Sequence, residues 1–227
     1  MKYIVVGLGN FGASIAEKLT AQGNEVIGID SDMNKVETYK EKISHTICMD
    51  AMEESTVSGL PISETDVVII AIAKDQGANV MATALFKNLH AKKLISRSLN
   101  SLHEKVLLAI GVDKIVRPEE ETAERWAKKL SYENVVDSFE LDENYSIVEI
   151  NIPEKFIGQT IGEIQLGARF HLLALTTIKQ TTIKSAIGDK RRKDQIQGLA
   201  TADTVLVKGD RLVVYGLNSS VEKFIEE

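Results

Sequence analysis

Three glycines spaced G-x-G-x-x-G, Gly7, Gly9 and Gly12, and an aspartate, Asp30, about twenty residues downstream, are the residues best placed to do chemistry. Backbone N–H groups in such a loop, with the positive end of the helix that follows, can hold an anion. Gly7 permits the tight turn, and Gly9 lets the backbone approach a pyrophosphate where a side chain would block it. Gly12 lets the helix pack closely on its strand. Asn10 and Phe11 complete the loop, and Asp30 stands where a carboxylate can accept both ribose hydroxyls. The competing reading is a structural turn that holds no ligand.

The flanking sequence decides between the two. Tyr3-Ile4-Val5-Val6 is a buried-strand pattern that runs straight into Gly7, and Glu25-Val26-Ile27-Gly28-Ile29-Asp30 ends on the acid. Strand, glycine loop, helix, strand and terminal acid form one unit, which favours nucleotide binding. Asp32 can cap a helix over 33–42, and Thr46-Ile47-Cys48-Met49 reads as a third strand ending at Asp50. Val67 to Ile72, including Ala71, is an apolar run of the kind buried in a parallel sheet. A helix over 77–89 follows, with Val80, Ala84 and Leu85 on one face. A strand over 93–96, a helix over 102–110, a strand over 114–116 and a helix over 119–130 complete the alternation. The fold class is α/β: a Rossmann-like doubly wound parallel sheet followed by a small α+β domain.

The pattern changes near Val136. Short alternating runs, Ser146 to Ile150, Leu172 to Leu175, Thr204 to Val207 and Arg211 to Tyr215, are separated by Gly-containing turns. Helices are expected over 160–166 and 219–226. Asp189-Lys190-Arg191-Arg192-Lys193-Asp194 is a charge run expected in a solvated loop, with docking to an anionic partner as the sharper reading.

Composition narrows the classes. The 227 residues suffice for one large or two small domains, and a formal charge of −6 argues against nucleic acid as a partner. No apolar run approaches the roughly 20 residues of a membrane span, and Met1-Lys2-Tyr3 shows no signal-peptide architecture. The single Cys48 excludes an intrachain disulfide and reads as a buried strand residue. A catalytic set is missing. His171 reads as a packed histidine at a strand start, and His45, His90 and His103 lie at helix ends or loops without metal-ligand spacing.

A nucleotide unit, a small strand-rich domain and no catalytic set together resemble one family over essentially the whole chain. It is the TrkA/KtrA type of cytosolic subunit, built from an N-terminal and a C-terminal RCK (regulator of K⁺ conductance) domain. Cys48-Met49-Asp50-Ala51 matches that family's third-strand end. His103-Glu104-Lys105 followed by Ile110-Gly111-Val112-Asp113-Lys114-Ile115-Val116-Arg117-Pro118-Glu119 matches its most specific run. Ser146 to Ile150 and Gly158-Gln159-Thr160-Ile161 match the opening of its C-terminal domain.

The resemblance implies an N-terminal RCK domain over 1–118, a crossover helix and linker over 119–136, and a C-terminal RCK domain over 137–227. It implies a regulator rather than an enzyme, cytoplasmic and held at the inner face of the cell membrane by a potassium transporter or channel that it gates. It implies self-association as a homodimer and an octameric ring. The ligand would be an adenine nucleotide, ATP or ADP, with NAD or NADH as the alternative. Gly7, Gly9 and Gly12 would line its phosphates, Asp30 its ribose, and Asp50 with Ala51 its adenine edge, with Asn10, Phe11 and Asp32 as further cofactor-binding residues. Ala71 would border the site, and Arg97 matches a basic position that reaches phosphates. Glu119 matches an acid that in some members binds a divalent cation, Mg²⁺ or Ca²⁺, between two subunits' nucleotides. ATP-sensing members carry Arg where this chain has Asn10, which brings no charge to a terminal phosphate. Two further readings remain beside the regulator: an NAD-dependent oxidoreductase, and a nucleotide sensor acting on another cytosolic partner.

Overall fold

A computed structural model of the chain describes residues 1–131, 134–184 and 190–227. It divides into two compact units, Met1–Glu120 and Glu121–Glu227.

The first unit alternates strand and helix as β1 (Lys2–Val6), α1 (Asn10–Ala21), β2 (Glu25–Asp30), α2 (Met33–Tyr39), β3 (His45–Cys48), the short α3 (Glu54–Val57), β4 (Val67–Ile70), α4 (Gln76–Asn88), β5 (Leu94–Arg97), α5 (Ser101–Ile110) and β6 (Lys114–Val116). The sheet order is β3-β2-β1-β4-β5-β6, with parallel pairing throughout. Its central strands are buried on both faces. In β1, Ile4 and Val6 join the layer containing Phe86, Leu94 and Leu107, while Val5 joins Ala13, Ala16 and Ile69 on the other side. Such strands read as unbroken apolar runs because helices cover both faces. Helix starts follow capping chemistry: Asp32 accepts from Asn34 N–H, Asp75 from Ala78 N–H and Asn100 from His103 N–H. The chain reverses direction around the sheet between β1 and β4. There the loops after the two strands part and leave a crevice at the strands' C-terminal ends.

The helix α6 (Pro118–Ser131) leads into the second unit, with Pro118 at the first helical position, where its missing N–H costs nothing. The second unit holds β7 (Val135–Glu140), β8 (Tyr145–Asn151), α7 (Leu166–Phe170), β9 (Leu173–Lys184), β10 (Lys190–Ile196), β11 (Arg211–Leu217) and α8 (Asn218–Ile225). Its antiparallel sheet runs β10-β9-β11-β8-β7 over a core centred on Phe156, Phe170 and Phe224. The rings of Phe156 and Phe224 stack at 5.0 Å, and Phe170 meets Phe224 edge-on at 5.0 Å.

Several expectations are corrected. Cys48 is exposed because β3 is an edge strand. The deepest stripe of α4 is Asn79, Ala82, Thr83 and Phe86, whereas Val80 and Leu85 are only partly buried. The helix expected over 160–166 is a turn followed by α7. Thr160 and Glu163 do exchange capping bonds, but Ile161 and Gly162 give their N–H groups to Thr204 and Ala202 instead of to a helix. For the same reason 204–207 contributes a single bridge, Thr160 to Val205, rather than a strand. His171 is exposed in a left-handed conformation that closes α7, not packed at a strand start. Of the charge run, Asp189 lies outside the described residues, and Lys190 to Asp194 form β10 rather than a loop.

Candidate functional site

The crevice at the strand ends is a cleft of about 740 Å³, and its floor is the glycine loop. Gly7 adopts φ +95°, and its N–H donates to Ile29 O at 2.7 Å, tying the turn to β2. Gly9 is the N-cap of α1 and supplies no capping side chain, so the first-turn N–H groups are left for an anion. A Cβ added at Gly9 would meet nothing within 4 Å, whereas one at Gly12 would lie 1.9 Å from Gly7 O and 2.9 Å from Ala71 Cβ. The two glycines therefore do different work: Gly9 keeps the cleft open, and Gly12 lets α1 start against the loop.

Asp30, only 8% exposed, is the most constrained polar group of the cleft. Its carboxylate accepts from Leu8 N–H at 2.8 Å, Asp32 N–H at 3.0 Å and Lys35 Nζ at 2.8 Å. Burial would raise its pKa. The ammonium of Lys35 and the two N–H groups outweigh that and hold it below the ordinary carboxylate value. A buried, ionised carboxylate at the end of β2 can accept hydroxyls from a sugar.

Beside Asp30, Asp50 and Ala51 line the cleft after the neighbouring strand β3, where Asp50 accepts from Met52 N–H at 2.9 Å and holds a tight turn. Ala71 lines it after β4. At the far end stands Arg97, with its side chain 9% exposed. Its guanidinium carbon lies 5.7 Å from the centre of the Phe11 ring, one terminal nitrogen contacts Glu119, and Nε has no partner. Asn10 faces the same space without a charge.

The structure thus brings the sequence-nominated residues together in one cleft, except Gly12, which is buried beneath the loop, and Asp32, which is exposed and caps α2. Among the described residues no cluster of three or more His, Cys, Asp or Glu side chains could hold a metal ion. Glu119 faces Arg97 rather than another carboxylate.

Sequence reasoning missed two features. Lys35 pairs with Asp30, and its place one turn into α2 was the available signal. The second is a buried network in which Asn79 Nδ2 donates to Ile72 O at 2.9 Å and to Arg97 O at 3.3 Å, while Ser96 Oγ donates to Asn79 Oδ1 at 3.1 Å. It ties the loops after β4 and β5 to α4. The signal was an Asn and a Thr on the helix stripe that faces the sheet.

The comparisons agree with this architecture. A family model described as the TrkA-N domain matches residues 3–118. Ktr system potassium uptake protein C of Bacillus subtilis is 32% identical over 98% of this chain and 95% of its own length. Ktr system potassium uptake protein A of the same organism is 30% identical over 100% of this chain and 96% of its own. The solved GsuK RCK domain shares the fold, with a TM-score of 0.65 at 18% identity. The likeness covers 100% of this chain and 47% of that one. A domain match over half the chain and full-length likeness at this identity settle membership: the chain belongs to the TrkA-N family, among relatives of the Ktr potassium uptake type.

Proposed function

We propose that this chain is a nucleotide-sensing regulatory subunit that gates a membrane potassium transporter or channel. The observation that carries the reading is a cleft built for a phosphate and a ribose in a chain alike along its whole length to Ktr system potassium uptake proteins. The ligand is an adenine nucleotide: the glycine loop takes the phosphates, Asp30 the ribose, and Asp50 with Ala51 the base. ATP or ADP is the first choice, and NAD or NADH the second.

Among the described residues no helix is long and apolar enough to cross a membrane, so in this reading a separate chain forms the pore. The protein works at the cytoplasmic face of that pore as a homodimer assembled into an octameric ring. A divalent cation at Glu119 between subunits belongs to the same reading.

Calorimetry on nucleotide-free protein with ATP, ADP, NAD and NADH tests the ligand. Potassium uptake by cells lacking the chain tests the role. Uptake should fall, the wild-type gene should restore it, and a gene carrying Asp30→Ala should not. Normal uptake without the chain, or full rescue by a variant that no longer binds nucleotide, would refute the gating role.

A further inference from the structure

Arg97 and Glu119 form an unequal pair. The arginine side chain is 9% exposed, under the Phe11 ring, while the glutamate is 67% exposed on the first turn of α6. The other cations of the cleft are placed differently. Lys35 is engaged by Asp30, Lys74 is exposed, and the glycine loop contributes the uncharged Asn10. Arg97 is therefore the buried cation that a phosphate would seek, and its Nε points to no partner.

A guanidinium presents five N–H donors in a fixed fork, and carboxylate and phosphate oxygens compete for the same fork. The exposed glutamate can leave for water at little cost, whereas the buried arginine cannot leave. We infer that Glu119 is a specificity-determining residue: an internal competitor that holds Arg97 until a ligand's phosphate displaces it. This inference rests on the nucleotide reading of the cleft and adds its regulation. A ligand without phosphate leaves the pair closed. A phosphorylated one opens it and frees the first turn of α6, the helix whose residues from Glu121 onward belong to the second unit. The competitor lowers apparent phosphate affinity by the fraction of time it sits on the fork.

The test titrates ADP and adenosine, in the presence of a chelator, into the full chain as wild type, Glu119→Gln, Arg97→Ala and the double variant. Glu119→Gln should bind ADP about fivefold tighter, since the lost competitor is a half-exposed ion pair. Adenosine affinity should not change, and that also reports an intact site. In the Arg97→Ala background, Glu119→Gln should have no effect on ADP. Equal or weaker ADP binding by Glu119→Gln, or the same gain with and without Arg97, overturns the competitor. A wild type that binds neither compound overturns the nucleotide reading and the competitor with it. Wild-type binding with an indifferent Glu119→Gln overturns the competitor alone.

Discussion

The second and third glycines of the loop separate binding from folding, as their spacing predicts. Gly9 has φ −79° and ψ −173° with open space where a Cβ would go, so Gly9→Ala should melt like wild type. Its methyl would stand in the cleft, and nucleotide affinity should drop in calorimetry. Gly12→Ala forces a methyl against the Gly7 carbonyl and should cost about 1–3 kcal/mol of stability as well as binding. A Gly9→Ala protein with undiminished affinity would show that nothing lies over the loop. Asp30 adds a pH signature. Its folded-state pKa lies below the ordinary value of 3.8, so its stabilising contribution is complete above that value. The contribution is lost as pH falls through the lower folded pKa. Asp30→Asn should therefore be less stable than wild type near pH 7, and the gap should narrow in denaturant titrations as pH falls below 3.8. A gap independent of pH would assign the loss to packing rather than to the carboxylate's charge. In ligand titrations at pH 7, Asp30→Ala should lose about 1.5–3 kcal/mol for every adenosine compound.

At the scale of elements, what could be read from sequence depended on whether local chemistry or a distant partner fixes the conformation. β2 ends at the predicted Asp30, and β6 runs over the predicted 114–116, because apolar runs bounded by turn and capping residues carry their own limits. Asp32, Asp75 and Asn100 show why helix starts are legible: the cap lies within three residues of its donor. The second unit is less legible, since its strands are chosen by partners far along the chain. β8 pairs with the distant β11, from Tyr145 with Leu217 to Asn151 with Arg211, and the Lys190 to Asp194 part of the charge run that read as solvated loop is a strand because it pairs with β9. The site was legible as a glycine loop with acids, because these residues cluster at strand ends. Lys35 and Asn79 were not, since each acts through a partner on another element. The Asn79 network gives an element-scale prediction. Asn79→Ala leaves the part-buried Ile72 carbonyl and the buried Arg97 carbonyl without this donor and should cost about 1–3 kcal/mol in urea unfolding. Nucleotide affinity should fall too, because the loops after β4 and β5 lose their common tether. Unfolding at the wild-type midpoint would mean that the backbone positions those loops unaided.

At the scale of the whole molecule, α6 carries an exposed apolar stripe. α6 presents Ala123, Trp126, Ala127 and Leu130 at helical spacing, and all four are exposed, Trp126 by 53% and Leu130 by 77%. Packing against its own unit would have hidden this stripe, and it does not. An exposed apolar stripe holding the chain's only tryptophan is costly to leave in water and is a natural centre for an interface. A second copy of the chain is the occupant consistent with the ring in the proposed function. That assembly also gives Glu119, one turn before the stripe on the same helix, a route from the cleft to the neighbouring subunit. Trp126→Ala should then break dimers and larger rings while leaving each cleft able to bind nucleotide. Light scattering of wild type and variant, with and without ADP, measures the assembly, and calorimetry on the same samples measures the cleft. Loss of assembly with retained binding is the expected result. Assembly unchanged by the substitution would move the interface elsewhere, and a wild type that stays monomeric at micromolar concentration would remove the ring and, with it, the route by which a filled cleft reaches a pore.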